Sequence, residues 1–174
     1  MNSSIDPRAL FTLSYGVYIL STGYENTYNG QIINALMQLT SDPICLAACL
    51  HKENYTTELV EKSGRFSISV LEEAVPLKFI GLFGFHCGRD FDKFGKCTYE
   101  VDEGLPVVTD YSLAAIELRV ISVQEVFTHK LFVGEVEEAR LLKEGTPLTY
   151  AHYHQVKKGK SPENAPSSIF NKVK

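Results

Sequence analysis

Two runs in the second half of the chain constrain its fold most. In SLAAIELRVISVQEVF, Ile116, Leu118 and Val120 alternate with Glu117 and Arg119, and HKLFVGEVEEARLL continues in the same manner. A period of two places one set of side chains on each face of an extended chain, so both runs are predicted as long strands, paired antiparallel across a short turn. The first half supplies further strand-like runs: YGVYILS at 15–21, PICLAACL from Pro43 and RFSISVL at 65–71. Short helical patterns separate them. NYTTELVEKSG offers Asn54 or Thr56 as a cap, Leu59 and Val60 as inward residues and Gly64 as an exit. PLKFIGLFG starts a helix at Pro76, GRDFDKFG is a second short helix or turn, and FHC between them is a loop. Strands in both halves with short helices inserted predict an α+β, mainly β chain built on a sheet or barrel, not a regular βαβ alternation.

The stretch YNGQIINALMQLTSDP is harder to place. Asn29 and Gly30 suit a tight turn, which would close a hairpin with the run at 15–21. Beyond them, polar residues at 31, 34, 38 and 41 recur at helical spacing, while the position between a turn and SDP suits extended chain. Pattern alone slightly favours helix. A length of 174 residues fits one domain. The expected division is a domain over 1–156 and a basic tail over 157–174, loose or docked on a partner subunit, with five lysines and two prolines.

Composition narrows the function. The net charge of −4 argues against a coat for nucleic acid or an anionic membrane, although a small local basic site is compatible with it. The start MNSSIDPRAL lacks the basic and apolar run of a secretion signal. No apolar stretch approaches the roughly 20 residues that span a bilayer, so a cytoplasmic location is expected. Cys45, Cys49, Cys87 and Cys97 contain no CxxC pair, and on a strand Cys45 and Cys49 would lie roughly 13 Å apart, too far to share a metal. Reduced thiols are expected. The histidines form no HExxH, no serine sits in GxSxG, and neither GxGxxG nor a P-loop is present.

Two places could hold a phosphate. In HKENYTT, Lys52 brings positive charge, and Asn54, Thr56 and Thr57 surround the start of the predicted helix, whose free N–H groups favour an anion. The alternative is an ordinary capped helix. In HCGRDFDKF, Gly88 lets backbone approach closely while Arg89 and Lys93 reach one oxygen cluster, the alternative being an exposed basic turn. Combined with the polar comb of Gln31, Asn34 and Gln38 and the lack of an obvious nucleophile, they suggest a planar ligand with a polar edge and a distal phosphate. Flavin mononucleotide (FMN) has that shape.

The blocks NGQIINALMQLTSDP, NYTTELVEKSGRFSISVL, FIGLFGFHCGRDFDKF, THKLFVGEVEEA and PLTYAHYHQVKKGKSPENAP, in this order, resemble the flavin reductase domain family. The likeness is to its flavoredoxin-like branch, which includes the flavin domain of high-molecular-weight rubredoxins, and it covers roughly residues 8–166. It implies a split β-barrel that binds FMN non-covalently, usually as a homodimer with the flavin near the interface, and takes electrons from NAD(P)H. It also implies that the stretch from Gln31 through Ile32, Ile33, Asn34, Gln38 and Leu39 runs extended beneath the ring, overriding the helical preference. Thr40 and Ser41 would lie near the ring or ribityl chain, with Lys52, Asn54, Tyr55 and Thr56 matching the phosphate block.

Gly88, Arg89 and Lys93 carry over from the family's turn before DKF. Cys87 stands where serine is common, which weakens one polar contact, and it is expected to be buried and unreactive. Ile32 and Ile33 replace the usual Thr or Ala, so polar contact there must come from backbone. His129 would face the flavin or nicotinamide, or make a structural hydrogen bond. His152 and His154 would form a dimer contact or a lid over the flavin.

The expected activity is hydride transfer from NAD(P)H to bound FMN, then electron transfer to rubredoxin, free flavin or ferric iron. With no CxxC pairs in this chain, rubredoxin would be a separate protein. The rival is a non-catalytic FMN electron carrier reduced by a protein partner, and a regulatory protein without flavin is a third reading.

Overall fold

The computed structural model describes residues 5–168. Their elements follow in the order α1 (Pro7–Leu10), β1 (Tyr18–Tyr24), β2 (Thr27–Ile33), β3 (Leu36–Ser41), β4 (Ile44–His51), α2 (Tyr55–Ser63) and β5 (Arg65–Leu71). Then come α3 (Leu77–Gly84), a 3-10 turn (Phe94–Lys96), β6 (Tyr99–Asp102), β7 (Leu105–Val108), β8 (Ser112–Val126), β9 (His129–Leu141) and α4 (Tyr150–Gln155). The two alternating runs are β8 and β9, paired antiparallel from Ala114 opposite Leu141 to Val126 opposite His129. No helix among the described residues is long and apolar enough to cross a membrane.

Seven strands form one antiparallel sheet in the order β2-β1-β5-β8-β9-β4-β3. Its two edges, β2 and β3, are consecutive in sequence, with Asn34 and Ala35 alone between them. So short a link holds the end of one edge strand close to the start of the other, so the sheet curls round into a barrel that stays split between these unpaired edges. Leu20, Leu46, Ala48, Leu50, Phe66, Ile68, Leu118 and Phe132 fill the barrel interior. Their neighbours of opposite parity, such as Ile19 on β1, pack outward with Phe79, Ile80 and Phe83 of α3, with Tyr150 of α4 and with Leu148 just before it. Each half of the alternation therefore has its own core.

α2 runs as the sequence predicts. Asn54 is extended at its N-cap, Leu59 and Val60 are buried, and Gly64 ends it in the left-handed region at φ 69°, which glycine occupies without steric cost. β5 matches RFSISVL, and α3 begins after Pro76.

The first hairpin differs. Its turn lies at Glu25 and Asn26, both at positive φ, and Tyr24 pairs with Thr27, so Asn29 and Gly30 lie inside β2. Gly30 is needed there for close approach: a Cβ would stand 2.9 Å from Ser21 Oγ and 3.2 Å from both the Leu20 carbonyl and the Phe83 ring. Residues 31–39 contain no helix; they end β2 and begin β3, because strand pairing with β1 and β4 satisfies their backbone.

Two further expectations are corrected. Cys87 is exposed. The segment 157–168, expected to be loose or on a partner, packs against its own chain through Tyr150, Tyr153 and His154; the last residues of that tail, 169–174, lie outside the described residues.

Candidate functional site

On the outer face of the barrel a cavity of about 580 Å³ opens between β2, β4, the start of α2, the segment 83–93, α4 and the segment 160–166. That volume lies within the roughly 300–1,000 Å³ of small-ligand sites. One end of it is polar. Lys93 is only 3% exposed and its Nζ donates to the Gly30 carbonyl at 2.7 Å. Burial pulls its pKa from 10.5 down to about 8, opposed by the neighbouring Cys87 thiol. An ammonium kept this dry needs an anion to offset the loss of water.

The residues beside Lys93 fit such an anion. Asn29 is 2% exposed; its Nδ2 donates to Thr56 Oγ1 at 3.0 Å, while its Oδ1 has no hydrogen-bond partner among the described residues. Gly88 closes over it, and a Cβ on Gly88 would stand 2.1 Å from that Oδ1. Thr56 belongs to the first turn of α2, where the side chain of the N-cap residue Asn54 makes no capping hydrogen bond. Thr57 Oγ1 donates to the His51 carbonyl at 2.7 Å and fixes this helix start to the end of β4. A buried cation, a hydroxyl, a helix start and a glycine cradle together make a phosphate-sized polar pocket. The remaining wall is largely apolar, with Ile32, Ile80, Phe83, Tyr150 and Tyr153, and it suits a flat ring.

The expected site residues divide into two groups. Gln31, Ile32, Ile33, Asn34, Asn54, Tyr55, Thr56, Cys87, Gly88 and Lys93 all line the cavity. Gln38, Leu39, Thr40 and Ser41 do not; they lie on exposed β3, where Gln38 Nε2 donates to the Thr40 carbonyl at 3.1 Å and Thr40 Oγ1 to the Pro43 carbonyl at 2.6 Å. Lys52 turns away to Glu125 at 2.7 Å. Arg89 is also outside the lining: it pairs with Glu58 and its guanidinium stacks on the Tyr55 ring at 4.2 Å.

His129 is held back from the cavity by one residue. Its ring meets His51, which does line the cavity, edge-on at 5.0 Å, and its Nδ1 shares a hydrogen bond with Thr128 Oγ1 at 2.9 Å. Burial lowers its pKa, followed by the charge of His51, so it is neutral at pH 7. His152 and His154 lie on α4: His152 Nδ1 is 3.2 Å from Glu73, and His154 shares hydrogen bonds with the Gly159 carbonyl at 3.0 Å and Ser161 at 3.3 Å.

Sequence reasoning missed Asn29, Cys49, His51, Phe83 and the segment 160–166 as cavity residues. Cys49 and His51 were visible as alternate positions of a strand whose other face is core; the rest carry no local signal.

The sequence model of the flavin reductase like domain matches residues 10–158, nearly the whole chain. The chain belongs to this family. It is an oxidoreductase of the flavin reductase type. The high molecular weight rubredoxin of Moorella thermoacetica is 42% identical over 171 residues, covering 98% of this chain and 75% of that protein. The ferric-chelate reductase (NAD(P)H) of Archaeoglobus fulgidus is 45% identical over 162 residues, covering 92% of this chain and 96% of that protein. Among solved structures, the flavoredoxin of Methanosarcina acetivorans superposes with a TM-score of 0.70 at 22% identity, covering 84% of this chain and 78% of that one. At that identity the likeness concerns the fold, the split barrel of flavin reductases.

Proposed function

We propose that the cavity holds FMN and that this flavin reductase uses it to pass electrons from NAD(P)H to an acceptor. The observation that carries the reading is the buried Lys93 ammonium beside Thr56, Gly88 and the start of α2, at one end of a cavity whose wall is apolar over most of its area. Lys93, Thr56 and the α2 N–H groups would hold the phosphate, and Gln31 and Asn34 would meet the polar edge of the ring. The bound flavin supplies two-electron chemistry from hydride donors together with one-electron steps to acceptors. The chain positions, shields and adjusts charge, so this reading needs no paired acid and base in the cavity. His129, neutral and behind His51, would hold that ring in place.

The names of the relatives support a rubredoxin-type protein or a ferric complex as acceptor. A nicotinamide-dependent reaction of this kind supports a cytoplasmic location.

We also propose a homodimer. In-register partners share a face, and Met37 opposes Ala47, as Val126 opposes His129 and His129 opposes His51. Met37 and Val126 therefore lie on the same face as Cys49 and His51, which line the cavity. Both are exposed, and Phe127 at the hairpin tip is 94% exposed. An apolar flank beside the cavity suits a second copy of this chain.

The experiment is stopped-flow reduction of the FMN-loaded protein by NADH and NADPH. Fast bleaching of the flavin by either supports the reductase. Bleaching by a protein donor alone would assign the chain to the electron carriers, and a protein that takes up no FMN would overturn the reading.

A further inference from the structure

We infer that the segment from Gly159 to Ser167 is a latch that slows flavin release and makes FMN a resident cofactor; this rests on the reading that the cavity holds FMN. The segment forms one wall of the cavity from Lys160 to Pro166. It is tied to α4 beneath it: Gly159 N donates to the Tyr153 carbonyl at 2.9 Å, and Tyr153 Oη donates to the Lys160 carbonyl at 2.7 Å. Tyr150 Oη shares hydrogen bonds with both Ser161 and Ser167, the latter at 2.7 Å.

From this base the segment reaches across to two cavity-lining elements. Asn34, where β2 passes to β3, donates from Nδ2 to Ser167 Oγ at 3.1 Å. Asn164 donates from Nδ2 to Oδ1 of Asn54, the N-cap of α2, at 3.2 Å. The strap therefore joins the seam of the barrel to the helix start that faces the phosphate. Its two buried side chains, Ser161 and Ser167, are polar, so hydrogen bonds rather than apolar burial hold it shut. A closure of this kind opens locally without unfolding the barrel.

Both bridges end on residues of the cavity, so whatever strap closure adds to flavin affinity, bound flavin adds equally to strap closure. A shut strap would keep the flavin in the cavity, so electrons would pass to an acceptor at the cavity mouth rather than leave with a released reduced flavin.

The test is the release rate of FMN from full-length protein, read from the fluorescence of freed flavin after dilution. Asn164→Ala combined with Ser167→Ala removes both bridges. A neutral hydrogen bond is worth roughly a fivefold factor, so release should accelerate by about five- to thirtyfold. The exposed Asn164→Ala alone removes the bridge to Asn54 and should accelerate release by about fivefold without burdening the core, which keeps the test valid if the double variant folds poorly. Unchanged release from Asn164→Ala or from the folded double variant overturns the latch, while FMN uptake by the unaltered protein keeps the cavity assignment. If the unaltered protein takes up no FMN, both inferences fall.

Discussion

Replacing Lys93 with Met separates what this residue costs the fold from what it gives the ligand. Burial lowers its pKa from 10.5 to about 8, a difference of about 2.5 units. At about 1.4 kcal/mol per unit, holding Lys93 charged costs the flavin-free protein on the order of 3 kcal/mol at pH 7. Methionine removes that cost but strands the Gly30 carbonyl, a loss of about 1–3 kcal/mol. The flavin-free variant should therefore be as stable as the parent or up to about 2 kcal/mol more stable at pH 7.

The sign of the pH dependence follows from proton counts. Below about pH 8 both the folded and the unfolded states hold the Lys93 proton, so this group adds no slope. Between about 8 and 10.5 the unfolded chain holds it and the folded chain has lost it, so stability of the parent rises with pH across that window. The variant lacks this rise. Urea melts of both proteins at pH 7.5 and pH 10 would measure it. The ligand behaves oppositely. A charge-assisted bond to phosphate is worth about 1.5–3 kcal/mol, so Lys93→Met should weaken FMN by about ten- to a hundredfold and leave riboflavin unchanged. FMN affinity of the parent should fall above about pH 8, where binding must take up a proton. Equal loss of FMN and riboflavin, or no loss of either, would refute the assignment of Lys93 to the phosphate.

Three further changes test other parts of the account. Gly88→Ala brings a Cβ to 2.1 Å from Asn29 Oδ1 and should break the Asn29–Thr56 bond, lowering FMN affinity in a fluorescence titration while circular dichroism shows the barrel intact. Arg89→Ala should change FMN affinity far less than Lys93→Met, because Arg89 is engaged with Glu58 and Tyr55; a loss as large as that of Lys93→Met would place Arg89 on the phosphate. Met37→Lys should shift the protein from dimer to monomer in sedimentation velocity, and an unchanged dimer would move the interface elsewhere on the molecule.

Where local chemistry decided structure, the sequence was readable. The alternation in β8 and β9 reports two long paired strands, although Glu117 is buried beside Leu118 and most of the outer half of β8 is exposed on both faces, and the Asn54 to Gly64 span carries both ends of its helix. Asn29 and Gly30 misled because an Asn-Gly pair serves equally as a turn and as a buried polar group beside a position with no room for a side chain. The resemblance brought Thr56, Gly88 and Lys93 to the site, and the structure brings them together around Asn29. It could not say that Arg89 and Lys52 face carboxylates, since Glu58 and Glu125 are distant from them in sequence. The strap was hidden for the same reason: its bridges join Asn34 to Ser167 and Asn54 to Asn164, and no periodicity marks them.

The most direct measurement is a crystal structure of the protein grown with FMN. The account predicts the ring within this cavity and the phosphate in hydrogen-bond contact with Lys93 Nζ and Thr56 Oγ1. A phosphate bound elsewhere, or a cavity that excludes the flavin, would contradict it.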